Sequence, residues 1–477
     1  MACGTRPLAV VACLFTAVQF ALVVPGSGIG WDEAVYVSQV SPYVPAAFFS
    51  APRARGITFL AAPAAALSQD PTALRIWFAL LSGAALFGSF RLWLAILRPA
   101  VVVSAAGLFA SLWITLLYGS QAMPNLWVAY GALAAVACLL LPASRGTHAG
   151  LAAAMALVAL MRPSDALWLA LPLAAAALAS RAPGRLVALT GGVALGALPW
   201  VVEAHLRYGG LTARLHRAGE IQGGFGGQFA FGAQLRALSG RTLCRPCSDV
   251  PLNHPELALW WLGLPVAVAA GIAVARGRRR PLVLATAAAA SVSVPYLFLI
   301  GYAAPRFLLP AYALLALPAA QALVHAARTW RRPALAALAF ALAGHLAVQY
   351  AVLDRAADRY RLTRTAYART AQELHGHGVR PPCTVSGHEA VRVAYALGCS
   401  SRQVGGHDGS IGAGTLQAMA CLRPVVLLTS DGAPPPAYAR TWRPHGLSPL
   451  PGLRSLHAYL PPGCADRAAT PRAASTG

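Results

Sequence analysis

Lysine is absent from this sequence of 477 residues, and acids are scarce: 15 Asp and Glu stand against 38 basic residues, every one an arginine, for a net charge of +23. Charged residues make up only 11% and hydrophobic residues 57% of the chain, whereas a soluble domain carries about 25% charged residues. Mean hydropathy is +0.57. That balance excludes a soluble globular protein with a large core and points to a polytopic membrane protein. The arginines are scattered at the ends of apolar segments and form no basic domain, which argues against nucleic acid as a partner. A GC-rich coding bias accounts for part of the lysine deficit. Physically, a guanidinium grips phosphate bidentately where an ammonium does not, so anionic membrane lipid and lipid-linked phosphate fit the charge. Several chemistries are missing too. No GxSxG or HExxH occurs, and "GGFGG" (223–227) has no strand before it, no helix after it and no GK[ST] following. "HGH" (375–377) and "HE" (388–389) offer metal-capable side chains without a full ligand set. No cofactor is expected, and a divalent metal is unsupported.

What the sequence does contain is a succession of apolar runs long enough to cross a bilayer as helices. They lie near 7–25, 72–97, 99–118, 125–142, 149–161, 164–180, 186–204, 257–275, 281–300, 307–327 and 333–352. Cytoplasmic loops are enriched in positive charge, which places Arg6, Arg98, Arg145, Arg181, Arg185, "RGRRR" (276–280) and "RTWRR" (328–332) inside. Residues 149–180 are flanked on both sides by inside-type arginines, so the chain must go out and return, turning at "MRPSD" (161–165) where Pro163 breaks the helix. The expected fold is an α-helical polytopic membrane protein of about 11 transmembrane helices, its N-terminus cytoplasmic, with a small C-terminal extracytoplasmic α/β domain. Residues 57–69 read as half-embedded or juxtamembrane. A signal peptide is the rival reading of 1–25, but no A-x-A site follows it.

The expected domains are a membrane domain at 1–352 with external loops 26–56 and 205–256, an α/β domain at 353–465, and a disordered tail at 466–477. In the α/β domain an amphipathic helix near 355–377 leads to strand "CTVSG" and a helix near 388–397. A helix near 411–421, strand "PVVLLTS" and final strands near 440–460 follow. Cys244, Cys247, Cys383, Cys399, Cys421 and Cys464 are the cysteines that fall outside, an even set suited to an oxidising compartment. "CRPC" (244–247) offers a redox pair or half a zinc site, but no second CxxC completes a zinc site, so a local disulfide is the favoured reading.

The candidate chemistry sits on the same outer face. "GSGIGWDEAVY" (26–36) sets Asp32 and Glu33 just after the first apolar run, and Tyr36 close by. Arg53, Arg55, Arg162, Asp165 and Arg306 stand at neighbouring span ends. Charged groups near a bilayer are costly and mark functional pathways, although a solvated turn and snorkelling arginines are the plainer readings. A carboxylate that orients or deprotonates an acceptor hydroxyl, with guanidiniums on a departing phosphate, is the equipment for sugar transfer from a lipid-linked phosphate. In "LYGSQAMPNLW", Tyr118, Gln121 and Asn125 offer sugar contacts or serve as ordinary helix-end polar residues.

The layout resembles the GT-C superfamily of membrane glycosyltransferases, which use polyprenyl- or dolichyl-phosphate sugars. The likeness is to the protein O-mannosyltransferase, aminoarabinose transferase and RgtA-like group. Three short motifs carry it: "WDEAVY" after the first span, "PRFLLPAYALLALPAA" and "LMRPSDALWLALPL". The resemblance implies Asp32 as the catalytic base or acceptor-orienting acid with Glu33 beside it, and Arg306 and Arg162 near the donor phosphate; Arg55 and Arg53 join them as phosphate candidates by their place at the span ends. Beside these, and from their positions in the sequence alone, Tyr36, Gln121, Asn125 and Asp165 are the candidates for binding substrate. Two departures stand out: "APRARGITFL" replaces the usual H-P-P element, and Asn125 replaces an acid after "MP". The implied activity is an inverting hexosyl or pentosyl transfer from a polyprenyl-phosphate donor to a cell-envelope glycan, lipid or protein acceptor at the outer face of the cell membrane. A transporter or flippase of a lipid-linked or anionic solute is one alternative, and a non-catalytic glycan-binding envelope protein is another. No internal repeat supports a transporter.

Overall fold

The computed structural model describes residues 2–224, 226–245, 254–450 and 452–462. Phe225, Cys247, Cys464 and the tail 466–477 lie outside the described residues. Helices come in the order α1 (Ala2–Leu22), α2 (Trp31–Ser38), α3 (Gly56–Leu67), α4 (Pro71–Trp93), α5 (Pro99–Ala110), α6 (Trp113–Gly119), α7 (Pro124–Leu140), α8 (Arg145–Met161) and α9 (Pro163–Ala179). They continue as α10 (Pro183–Tyr208), α11 (Leu211–Ile221), α12 (Phe231–Leu238), α13 (Leu259–Val274), α14 (Arg279–Val294), α15 (Leu309–Thr329), α16 (Arg332–Gly376), α17 (Ala390–Leu397) and α18 (Ala413–Met419). The strands are β1 (Thr384–Gly387), β2 (Ser400–Ser401), β3 (Val425–Ser430), β4 (Arg443–Gly446) and β5 (Leu456–Leu460).

The chain divides into two compact units. The first holds Met1–Pro25, Ala51–Leu60 and Leu74–Ala357; the second holds Gly26–Ser50, Ala61–Ala73 and Asp358–Gly477. Every apolar run read from the sequence is helical in the first unit, because lipid offers no partner for backbone N–H and C=O groups and only a helix satisfies them within one segment. Among the described residues seven helices are long and apolar enough to span a membrane, and α5 with α6, bent by 74°, makes an eighth if the pair counts as one span. The protein is a multi-pass membrane protein. Helices α7, α8 and α9 are apolar and shorter, at 17 residues each. Proline opens α4, α5, α7, α9 and α10, where its missing N–H has no intrahelical acceptor to lose.

Helix α7 and the first half of α15, residues 309–320, are buried nearly all round and form the centre of this unit. The pairing of α8 with α10 uses small residues. An added Cβ at Gly192 or Gly196 of α10 would lie 2.4 and 2.1 Å from the carbonyl oxygens of Ala152 and Ala156 on α8, so only glycine permits that approach. At the α5–α6 bend, the orphan N–H of Trp113 donates to the buried side-chain oxygen of Gln349 at 2.9 Å.

A single helix, α16, covers both the last apolar run and the amphipathic stretch at 355–377. The sequence reading separated them, but no proline follows Pro333 in that interval. In the second unit the strands form one mixed sheet in the order β2-β1-β3-β5-β4, with β2, β1 and β3 parallel and β5 antiparallel to both its neighbours, β3 and β4. One face packs Leu374, Val385, Val393, Leu397, Val426 and Leu428, and the other packs Leu416, Val425, Leu427 and Trp442. Cys383 and Cys399 form a disulfide; Cys244 takes part in a disulfide, and so, separately, does Cys421. Residues from the stretch after α1 join the same unit: Gly28 N–H donates to the Tyr360 carbonyl at 3.1 Å, and Gln69 Nε2 to the Tyr395 carbonyl at 2.6 Å.

Candidate functional site

Arg162 is the residue at which α8 ends and α9 begins. Its backbone is extended (φ −154°, ψ 98°) and Pro163 follows at the first helical position. A residue before proline is driven out of the helical region, so the arginine is held at a corner. Its Nε lies 3.2 Å from Oδ2 of Asp165. Asp165, in the first turn of α9, is 1% exposed. Its Oδ1 accepts the hydroxyl of Tyr296 at 2.5 Å and that of Ser164 at 3.3 Å. Tyr296 belongs to a π-helical turn, Pro295–Leu299, that prolongs α14.

The ring of Tyr296 stacks on Phe307 with centroids 4.8 Å apart. The Arg162 guanidinium lies 5.5 Å from both ring centres. Arg306, in the 3-10 turn Pro305–Leu308 that leads into α15, lies 5.3 Å from the same Phe307 ring. One phenyl ring therefore serves as a platform for two guanidiniums, each attracted to its π-density. Arg306 Nη1 also donates to the Thr242 carbonyl at 2.9 Å and the Tyr118 hydroxyl at 3.4 Å, and only 8% of the residue is exposed. Two forked donors fixed on one ring in a poorly solvated setting suit a tetrahedral oxyanion such as phosphate.

Gln121 and Asn125 follow α6 and begin α7. Fully buried Arg75 of α4 fixes that corner by donating to the Ser120 carbonyl at 3.0 Å. Asn125 is buried, and neither polar atom of its amide has a hydrogen-bond partner among the described residues. A buried amide in that condition calls for a ligand or a water.

Arg53 and Arg55 belong to a different cluster. Arg55 pairs with Glu203 of α10 through Nη2 at 2.6 Å and Nε at 3.0 Å. Arg214 of α11 is fully buried; it donates to the other Glu203 oxygen at 3.0 Å and to the carbonyls of Ala51, Trp200 and Arg53 at 3.0, 2.6 and 3.0 Å. It also lies 4.3 Å from the Trp200 ring centre. Burial lowers the Arg214 pKa from its usual value, and Glu203 pulls it back. The sequence reading missed Glu203 and Arg214, although an acid inside "ALPWVVEAHL", in a chain so short of acids, was a readable signal. It also missed Tyr296 and Phe307, which look like ordinary span residues.

Asp32, Glu33 and Tyr36 lie on α2, in the second unit. Glu33 is 1% exposed and reaches back to accept the Gly30 N–H at 2.9 Å, closing the first turn. Asp32 is half-buried in that same turn, where the helix dipole favours a carboxylate. Tyr36 is buried, edge-on to Phe49 at 5.9 Å. The indole of Trp31 donates to Asp408 at 3.2 Å. The structure thus brings Arg162, Asp165 and Arg306 together around Phe307, sets Arg55 against Glu203, and joins Arg53 to that cluster through its backbone carbonyl, which accepts from Arg214. Among the described residues no group of His, Cys, Asp and Glu has the arrangement of a metal site.

No protein-family model matches the sequence, and no curated protein matches it. Solved structures do. The chain is similar to ArnT from Cupriavidus metallidurans bound to undecaprenyl phosphate, with a TM-score of 0.66 at 13% identity over 94% of this chain and 97% of that one. The apo form of that ArnT gives 0.61 at 14% identity over 98% of both chains. The oligosaccharyltransferase of Archaeoglobus fulgidus, tethered to an acceptor peptide, gives 0.51 at 13% identity over 89% of this chain and 69% of that one. These neighbours are GT-C membrane glycosyltransferases, and the chain has their fold.

Proposed function

We propose that this protein is a membrane glycosyltransferase that moves a sugar from a polyprenyl-phosphate-linked donor to a glycan, lipid or protein acceptor of the cell envelope. The carrying observation is the pair of guanidiniums, Arg162 and Arg306, held over the single ring of Phe307. The shared fold adds support: one neighbour binds undecaprenyl phosphate and another carries an acceptor peptide. Arginine-rich loops at alternate span ends favour a cytoplasmic N-terminus, with transfer and the sheet-bearing unit on the outer face.

In this reading the acceptor hydroxyl attacks the anomeric carbon of the donor while the bond from that carbon to the phosphate oxygen breaks. One displacement inverts the configuration, for a hexosyl or a pentosyl unit alike. Asp32 orients the hydroxyl and takes its proton. Arg162 and Arg306 stabilise the charge that gathers on the departing polyprenyl phosphate. Asp165 and Tyr296 act as positioning residues for Arg162, while Arg53 and Arg55 shape the approach of the donor. Gln121, Asn125 and Tyr36 contribute sugar contacts. An apolar cavity of about 360 Å³ lined by Phe109, Trp260 and Tyr312 offers surroundings suited to the donor's hydrocarbon chain.

The test is release of undecaprenyl phosphate from a panel of undecaprenyl-phosphate sugars, measured by mass spectrometry in membranes holding the full chain and envelope acceptor. Release by the natural chain that is lost in Asp32→Asn and in Arg306→Ala, at equal membrane levels, supports the reading. Full activity in Asp32→Asn removes Asp32 from its role. No release from any donor removes the proposed activity.

A further inference from the structure

The second unit contains a polar cleft of about 390 Å³ that the transfer chemistry above does not use. Its place in the sheet is informative. Strand β1 lies between β2 and β3, all three parallel, so the chain leaves β1 towards one neighbour through α17 and later returns on the other side as β3. In open α/β sheets ligands bind beyond the carboxyl ends of the strands at such a reversal. The cleft is lined by the residues that directly follow β1 (His388 and Glu389) and β3 (Asp431), together with Arg359, Arg392 and Arg454.

The backbone there is unusual. Glu389 and Asp431 have φ of +56° and +52°, and among the described residues only one other non-glycine residue, Arg181, has positive φ. Strained conformations of this kind persist where the surroundings impose them and concentrate at ligand sites. Gly387, the last residue of β1, has φ +89°, and an added Cβ would lie 2.1 Å from the Leu428 carbonyl oxygen. The chain is thus turned tightly out of the sheet at the cleft. Helix α17 starts at the same point, with no side chain capping its first amides.

The charges are arranged in separate pairs. Arg392 pairs with Glu389 and lies 4.9 Å over the buried Tyr367 ring. Arg454 lies 3.5 Å from Asp431, with both side chains exposed. Arg359 is exposed and lines the cleft from α16. We propose that this cleft binds an anionic saccharide, a sugar unit bearing phosphate or carboxylate. Arg359 and Arg454 hold the anion, and Asp431 and His388 hold the hydroxyls. Guanidinium forks match either anion, and carboxylate and imidazole acceptors match hydroxyl donors. The assignment rests on the second unit alone and does not depend on the proposed transferase activity.

Isothermal titration of the full chain in detergent tests it, with glucose 6-phosphate, glucuronate, glucose and inorganic phosphate as probes. The expected result is saturable one-site binding of at least one anionic sugar, tighter than that of glucose or phosphate. Preference between glucose 6-phosphate and glucuronate identifies which anion the site takes. Arg359→Gln and Arg454→Gln should each weaken that binding by about tenfold, the scale of one lost charge-assisted contact. Arg440→Gln, exposed in the same unit and outside the cleft, should leave it unchanged, as should the thermal midpoints of all three variants. Binding of neither anionic sugar, undiminished binding in both cleft variants, or equal binding of inorganic phosphate would overturn the proposal.

Discussion

Tyr296 donates its hydroxyl to Asp165 at 2.5 Å, linking the π-turn after α14 to the first turn of α9. The same carboxylate holds Arg162. Removing the hydroxyl in Tyr296→Phe leaves a buried carboxylate short of one donor, at a cost of about 1–3 kcal/mol. Asp165→Asn removes the charge that holds Arg162. The expected outcome is a modest drop in thermal midpoint for both variants. Donor KM should rise more in Asp165→Asn than in Tyr296→Phe. Equal donor KM in all three proteins would show that the Asp165 network serves folding only.

Arg306 makes its contacts with a flat, forked group: a carbonyl, a phenolic hydroxyl and the face of Phe307. An ammonium matches none of this geometry as a set. Arg306→Ala should lower kcat/KM for the donor about a hundredfold, the scale for removing one group that stabilises developing charge. Arg306→Lys should recover no more than about a tenth of the natural value. Full rescue by lysine would mean that a point charge suffices and that the Phe307 platform is incidental.

Asp32 and Glu33 are adjacent and are expected to separate cleanly. Glu33 closes the first turn of α2 by accepting the Gly30 N–H. Glu33→Ala should therefore destabilise the protein by about 0.5–2 kcal/mol, the range for losing a helix cap, while Glu33→Gln keeps an acceptor there and should hold stability. Asp32→Asn gives up the favourable helix-dipole interaction, about 0.3–1 kcal/mol, so it should shift the melting curve less than Glu33→Ala and abolish transfer. A melting shift in Asp32→Asn as large as that in Glu33→Ala would make Asp32 a structural residue.

Much of this was legible because lipid removes the alternatives to a helix. Each apolar run became helical, and Pro163 broke the chain at Arg162 where the arginine-flanked loops required a turn. The strands "CTVSG" and "PVVLLTS" also stand where their apolar, β-branched composition put them. What the sequence concealed was long-range. Nothing local says that Gly26–Ser50 and Ala61–Ala73 fold with Asp358–Gly477. Phe307 and Tyr296 are indistinguishable in a span from core aromatics, and only the fold shows two guanidiniums around them. Asp32 was conspicuous because acids are rare, and by that same logic Glu203 should have been noticed.

Glu203 is where three arginines meet: Arg55, Arg207 and Arg214 approach it at 2.6, 3.7 and 3.0 Å. Arg214 is fully buried and binds the carbonyls of Ala51 and Arg53, so this cluster ties the stretch before α3 to α10 and α11. Removing one member of a buried charge pair costs about 3–5 kcal/mol, because the other charge is left uncompensated. Glu203→Ala should therefore lower the thermal midpoint sharply. Replacing both members in Glu203→Leu with Arg214→Met should recover part of that loss, since no buried charge then remains without a partner. If the double variant is as unstable as the sum of the two single variants, the carbonyl contacts of Arg214, and not its pairing with Glu203, hold this region together.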